Sequence, residues 1–307
     1  MIMSNRATVS RRAWVLMAIM LSLFFFYSGN TLAHEEKSAQ GKFYVIGTGP
    51  AGPEHATYRA IECIKEADVI LCSDDMLERF STYLKGKKLL GNPWKKGNFK
   101  YSWGDLEKLG PEEKKVFVTE RFEFWDEMVR KIRSEMAKGK RVALLDSGDP
   151  CVFGPSHRII EGFEEDEVEI IPGLGCFQAA MAALKKSSIP AYDTRFVMLT
   201  APLLLYGRPE DEDILRDLSK YPITMVFYMP INRDQRLIGR LKKYYPADLP
   251  AAVVYNAGYP EKEHVVKGTL NTILHKMKSQ KDRLGLLIVG RCLEGQPQRG
   301  TIKYVAR

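Results

Sequence analysis

The chain has little that could hold a metal or a covalent framework. Five cysteines, at 63, 72, 151, 176 and 292, are scattered over 307 residues, and no two have C-x-x-C spacing. An odd, dispersed set suggests neither a disulfide scaffold nor a zinc site. Cys63 and Cys72 sit in apolar patterns that suit small core residues. The histidines at 34, 55, 157, 264 and 275 show no ligand spacing either. No short-period repeat is visible.

A long apolar run is also missing. The longest, residues 13–27 (AWVLMAIMLSLFFFY), is short of the roughly 20 residues of a membrane span. It follows Arg6, Arg11 and Arg12 and precedes Thr31-Leu32-Ala33, a small-residue cleavage pattern. Residues 1–33 therefore read as a signal peptide, with the mature chain starting near His34 and a short linker over 34–40. Ser10-Arg11-Arg12-Ala13-Trp14-Val15 looks like a twin-arginine export signal. A periplasmic or exported protein is expected. The alternative is an uncleaved anchor with the domain facing the cytoplasm, the leader being its one membrane contact.

Charge of one sign is not concentrated anywhere. The formal net charge is +8, of which the three leader arginines supply part, leaving +5 for the remainder. So mild and diffuse an excess suits an anionic small molecule and does not argue for nucleic acid. What is there is ordinary globular composition, 45% hydrophobic and 27% charged, long enough for two domains.

Residues 142–156, VALLDSGDPCVFGPS, organise the first domain. A short apolar run bounded by turn signals reads as a buried parallel strand. It stops at Ser147-Gly148-Asp149-Pro150, which holds Asp149 at the carboxyl end of a strand, where open α/β sheets place ligands. Upstream, residues 42–46 form a strand ending in Gly47-Thr48-Gly49-Pro50-Ala51-Gly52-Pro53. A helix is expected from Glu54 to Glu66 and a strand from Ala67 to Cys72, a right-handed β-α-β unit.

Gly47, Gly49 and Gly52 satisfy G-x-G-x-x-G, and Asp74 lies where a ribose-binding acid would sit. A dinucleotide-binding domain thus competes. Pro50 and Pro53 argue against it, because each removes a backbone N–H that a pyrophosphate would want.

Trp94, Lys95, Lys96, Phe99, Lys100, Tyr101 and Trp103 interleave aromatic and basic groups. They read either as a lid over a flat anionic ring system or as a surface loop tacked down by its aromatics. Pro111 opens a helix in which Phe122, Trp125, Val129, Ile132 and Met136 form an apolar core stripe. A short helix (158–163), a strand (168–171), the turn Pro172-Gly173-Leu174-Gly175 and an alanine-rich helix (176–185) close the first domain, about residues 41–190. Residues 187–195 read as a linker.

The second domain, residues 196–307, alternates strands (196–200, 223–229, 251–255, 265–268, 286–289, 301–305) with helices (210–218, 234–245, 269–281). Neighbouring strands look antiparallel, so a mixed sheet is expected.

In order, VIGTGPAGP, ATYRAIECIKEADVILC, GDPCVFG, IPGLGCFQAAMAAL, TMVFYMP and VVKGTL with LGLLIVGR resemble the motifs of the tetrapyrrole (corrin/porphyrin) methylase family. The resemblance runs from about residue 42 to 305. It implies two α/β domains, the first sheet parallel and the second mixed, with S-adenosyl-L-methionine bound in a cleft between them, usually in a homodimer. It implies methyl transfer to an anionic tetrapyrrole-like substrate, with no metal. Carried over residue by residue, the cofactor contacts are Pro50, Ser147, Gly148, Asp149, Val152, Gly175, Cys176, Met229 and Ala257. Asp149 and the turn amides would hold polar groups of the cofactor, and Val152 and Met229 would pack on adenine.

The chain departs from the family on the substrate side. The position of an acid proposed as a base is Ser73, followed by Asp74 and Asp75. A lysine proposed as an acid aligns near Asn92, with Lys95 and Lys96 close by, so Asp74, Asp75 and Lys95 become the catalytic candidates. The acid of the first turn is replaced by Gly52, and TAPLLLYGRPE keeps only Gly207-Arg208 of a polar stretch. The alternative to an enzyme is an exported, non-catalytic tetrapyrrole- or anion-binding protein on the same fold.

Overall fold

The computed structural model describes residues 41–102, 105–106, 108–190, 194–201, 210–228, 234–277 and 285–294. The first sheet contains β1 (Phe43–Gly47), β2 (Val69–Leu71), β3 (Lys88–Gly91), β4 (Val142–Asp146) and β5 (Val168–Ile171). Their order is β3-β2-β4-β1-β5, and every pairing is parallel. Gly47 is level with Asp146, and Ile46 with Leu145 and Ile171, so the neighbouring strands β4, β1 and β5 end together.

These strands are short apolar runs because helices cover both faces. On one face lie α1 (Tyr58–Glu66), α2 (Asp74–Arg79) and α3 (Ser81–Leu84), packing Ala60, Ile64, Met76 and Phe80 against Ile46, Ile70 and Leu145. On the other, α4 (Pro111–Met136) and α5 (His157–Ile160) pack Trp125, Met128, Ile132 and Ile159 against Val45, Leu71 and Leu144. Cys63 and Cys72 are buried core residues, as their pattern implied.

Three local readings are corrected. The helix expected from Glu54 is a separate 3-10 turn at Pro53–His55, after which Thr57 restarts the chain. Thr57 Oγ1 accepts the Ala60 N–H at 3.1 Å, a cap worth about 1 kcal/mol. In α4 the buried stripe is Phe117, Arg121, Trp125, Met128, Ile132 and Met136. Phe122 is 54% exposed and meets Trp125 edge-on at 5.7 Å from outside. The helix expected from Thr269 starts later, at Ile273, because Thr269 still belongs to a strand and gives its N–H to Thr272 Oγ1 at 2.9 Å.

The aromatic-basic loop lies against α4. Arg121 stacks on Phe117 (3.5 Å) and Phe99 (4.5 Å) and donates to the carbonyls of Phe117 (2.9 Å) and Tyr101 (2.7 Å). Phe99 meets Phe124 edge-on at 5.2 Å, and Trp94 packs into the core below. The rings of Trp94 and Phe99 are therefore engaged by the protein itself.

The second sheet contains β6 (Phe196–Thr200), β7 (Ile223–Tyr228), β8 (Pro250–Tyr255), β9 (His264–Thr269) and β10 (Gly285–Val289), in the order β6-β7-β10-β8-β9. β6 and β7 are parallel and the other pairs antiparallel, giving the mixed sheet. Its side chains alternate strictly. Val226, Tyr228, Ala252, Val254, Leu286 and Ile288 face α6 (Cys176–Leu184), whose Ala179 and Ala180 allow close approach. Met225, Phe227, Val253 and Leu287 face α7 (Glu210–Leu218), α8 (Asp234–Tyr244) and α9 (Ile273–Met277). The chain leaves the first sheet at β5, and its next helix is packed on the second. The strand expected at 301–305 lies outside the described residues.

Candidate functional site

β1 and β4 are neighbours, yet the chain leaves them in opposite directions, toward β2 on one side and β5 on the other. Divergent connections open a crevice at the carboxyl ends of such a pair. Here two turns cross it. Gly49 N–H donates to Gly148 O at 3.2 Å, and Gly148 N–H donates to Gly49 O at 2.9 Å. Their φ angles, +74° and +79°, suit residues without a Cβ. The turn after β5 presses on both: a Cβ on Gly173 would stand 2.2 Å from Gly148 O, and one on Gly47 2.6 Å from Gly173 N. Three turns thus meet backbone to backbone.

Beneath them Asp146 is 3% exposed. Burial pushes its pKa up, while Ser156 and the Ser147 backbone pull it partly back. Above them, Asp149 Oδ1 accepts the Cys151 N–H at 3.0 Å, a local turn that fixes the carboxylate. Gly175 follows closely, its absent Cβ 3.9 Å from Asp149 Cβ, and α6 begins at once. The first amides of a helix have no intrahelical acceptor and carry partial positive charge.

The second sheet completes the crevice. A Cβ on Gly258 would come within 2.8 Å of Pro50 Cγ and 3.5 Å of His55 Cε1. Tyr259, next in sequence, carries the Arg79 guanidinium 4.6 Å from its ring centre. Its phenol pKa is raised by burial and by Asp75, while Arg79, the Ala51 backbone and the Ser147 side chain pull it partly back. Val152, Cys176, Tyr228 and Ala257 share one apolar cluster. Phe153 closes over it with its ring 5.6 Å from that of Tyr228.

Pro50, Ser147, Gly148, Asp149, Val152, Gly175, Cys176 and Ala257 are therefore brought together from both halves. Met229 lies outside the described residues, one position past the end of β7. Asp74, Asp75 and Lys95 stand on the outer flank. Asp74 opens α2 and accepts Asn92 Nδ2–H at 3.1 Å, Asp75 takes the Arg79 Nε–H at 3.2 Å, and Lys95 is exposed beyond β3. Arg79 and Tyr259 connect Asp75 to the crevice.

The turn amides expected to face a ligand are partly used. Those of Gly49 and Gly148 serve each other, and that of Gly52 goes to Glu54 Oε1 at 3.2 Å. Glu54 thus returns to the first turn the carboxylate missing at Gly52. Tyr228, Tyr259 and Glu54 escaped the sequence reading. The alternation of β7 could have placed Tyr228, whereas the contacts of Tyr259 depend on how the two sheets meet.

Two α/β layers joined across a crevice of glycine turns define a bilobal, ligand-binding α/β protein. The chain belongs to the tetrapyrrole (corrin/porphyrin) methylases, whose family model matches residues 42–274. It is 31% identical over 257 residues to cobalt-precorrin-4 C(11)-methyltransferase of Methanocaldococcus jannaschii, covering 82% of this chain and 88% of that protein. It is 30% identical to precorrin-4 C(11)-methyltransferase of Rhodococcus erythropolis, covering 83% and 93%. The fold matches the crystal structure of a cobalt precorrin-4 methyltransferase with a TM-score of 0.66 at 24% identity, over 84% of this chain and 98% of that one. It also matches uroporphyrin-III C-methyltransferase from Thermus thermophilus, complexed with S-adenosylhomocysteine, with a TM-score of 0.58 at 22% identity, over 82% and 99%.

Proposed function

We propose that this chain is an S-adenosylmethionine-dependent methyltransferase acting on an anionic tetrapyrrole of the corrin-precursor type. The observation that carries the reading is the meeting of the turns after β1, β4 and β5, which include Asp149, with the turn after β8 of the second sheet, which packs on Pro50. The residues present fit such a cofactor. One carboxylate and the first turn of a helix suit its amino-acid and ribose groups, Val152 and Ala257 give apolar walls, and the buried Tyr228 phenol has no partner among the described residues.

When bound, S-adenosylmethionine supplies an electrophilic methyl group on a sulfonium. The chain's own task is alignment, because in-line displacement gains most from holding reactants at the right distance and angle. The turns around Gly49, Gly148 and Gly173, packed backbone to backbone, would form its floor. Phe153 and Tyr228 keep water from one wall. Asp74 and Asp75 are the carboxylates that would take a substrate proton after methylation. We also propose a homodimer and export through the leader. An alkaline-phosphatase fusion at residue 40 reports the side of the membrane, with activity expected only for export.

The test is turnover. The purified chain, given S-adenosylmethionine and reduced uroporphyrinogen or corrin precursors, should add one methyl to one of them by mass spectrometry. Tight binding of the macrocycle without any methyl gain in the panel would support a binding protein instead.

A further inference from the structure

Tyr228 is the last residue of β7 and is 6% exposed, yet its hydroxyl makes no hydrogen bond with any of the described residues. A buried hydroxyl left unpaired costs about 1–3 kcal/mol, and most such groups have a partner. Packing does not require it. The ring alone fills the space between Phe153 and the cluster of Val152, Cys176 and Ala257, as a phenylalanine would. Tyr245 also has a buried hydroxyl with no partner among the described residues, but it sits in the core on the far face of the second sheet, away from the crevice. Position separates the two: Tyr228 is surrounded by residues of the turn after β4, the start of α6 and the turn after β8.

We infer that Tyr228 is a further positioning residue, whose hydroxyl donates a hydrogen bond to an oxygen of the bound S-adenosyl ligand, either a ribose hydroxyl or the α-carboxylate. The inference rests on the function proposed above. Burial, with Cys176 and Asp149 nearby, holds the phenol far above its ordinary pKa, so it remains a donor at physiological pH. Beside it the Asp149 carboxylate is an acceptor. A donor and an acceptor side by side match a ribose diol or an amino-acid zwitterion, each of which offers both.

The test is Tyr228→Phe in the full chain, with S-adenosylhomocysteine and 5′-methylthioadenosine as probes. The ligand-free variant should melt at the same temperature as the parent or higher, because an unsatisfied group has been removed. Its Kd for S-adenosylhomocysteine should rise about tenfold, equivalent to about 1.4 kcal/mol. An equal rise for 5′-methylthioadenosine assigns the ribose, and no rise for that probe assigns the carboxylate. Unchanged affinity for both probes overturns the inference while leaving the proposed function standing. A lower melting temperature of the ligand-free variant also overturns it, because the fold itself would then be using the hydroxyl. If the parent chain binds neither probe, the proposed function fails, and this inference with it.

Discussion

Gly258 of the second half packs directly on the ring of Pro50 in the first, so closely that a Cβ at 258 would stand 2.8 Å from Pro50 Cγ. The contact ties the turn after β8 to the turn after β1. It makes the crevice a joint property of both sheets.

Gly258→Ala should therefore do more than strain one backbone angle. At φ +85° the angle alone costs about 1 kcal/mol. Gly86→Ala is the control: its φ is +79°, and nothing lies within 4 Å of the new Cβ. Both variants should lose similar stability from strain, but only Gly258→Ala should also weaken S-adenosylhomocysteine binding, by tenfold or more in calorimetry. Equal binding by the two would show that the Pro50 contact does not shape the site.

Asp149 supplies the acidic group on the floor of the crevice, held by the Cys151 amide. A charge-assisted hydrogen bond to a ligand is worth about 1.5–3 kcal/mol, so Asp149→Ala should weaken S-adenosylhomocysteine roughly 10- to 100-fold. Its thermal stability should change little. The same calorimetric titration measures the affinity.

Arg121 holds the aromatic loop through the Tyr101 carbonyl and a stack on Phe99. Arg121→Ala should cost about 2–3 kcal/mol, since two charged hydrogen bonds and their packing are lost. Limited proteolysis should then cut within residues 97–102 much faster than in the parent, with little change elsewhere.

How far these features could be read beforehand depends on how local their causes are. β5, β6 and α7 fall where their patterns put them, because each is a periodic or apolar run bounded by a turn. The Asp149 turn was legible for the same reason: glycine, proline and a preceding apolar strand act within a few residues. Phe122 was misplaced because α4 carries aromatics on two faces, and periodicity alone does not say which meets a sheet. Arg121 left no mark in the sequence, because its burial depends on Phe99 of a separate loop as well as on Phe117 of its own helix. Tyr228 and Tyr259 gain their surroundings from the meeting of the two halves, a long-range event that leaves no short-range pattern.

The second half carries its own electrostatic marker. Hydrogen bonds from Lys243 and Tyr244, with Arg240 beside them, hold the Glu212 carboxyl at a pKa of about 2 against an ordinary value of 4.5. A depressed carboxyl stabilises the fold above its unfolded pKa and loses that contribution as pH falls through the folded one. Glu212→Gln should lower the melting temperature at pH 7. The difference from the parent should shrink below about pH 4.5 and vanish near pH 2. A difference independent of pH would assign the effect to packing.

Hydrogen exchange of the full chain with and without S-adenosylhomocysteine tests the central claim most directly. The ligand should slow exchange in the turn around Asp149 and in the first turn of α6, together with the turn after β8. Ligand-induced protection confined to other surfaces, with those three segments unchanged, would contradict it.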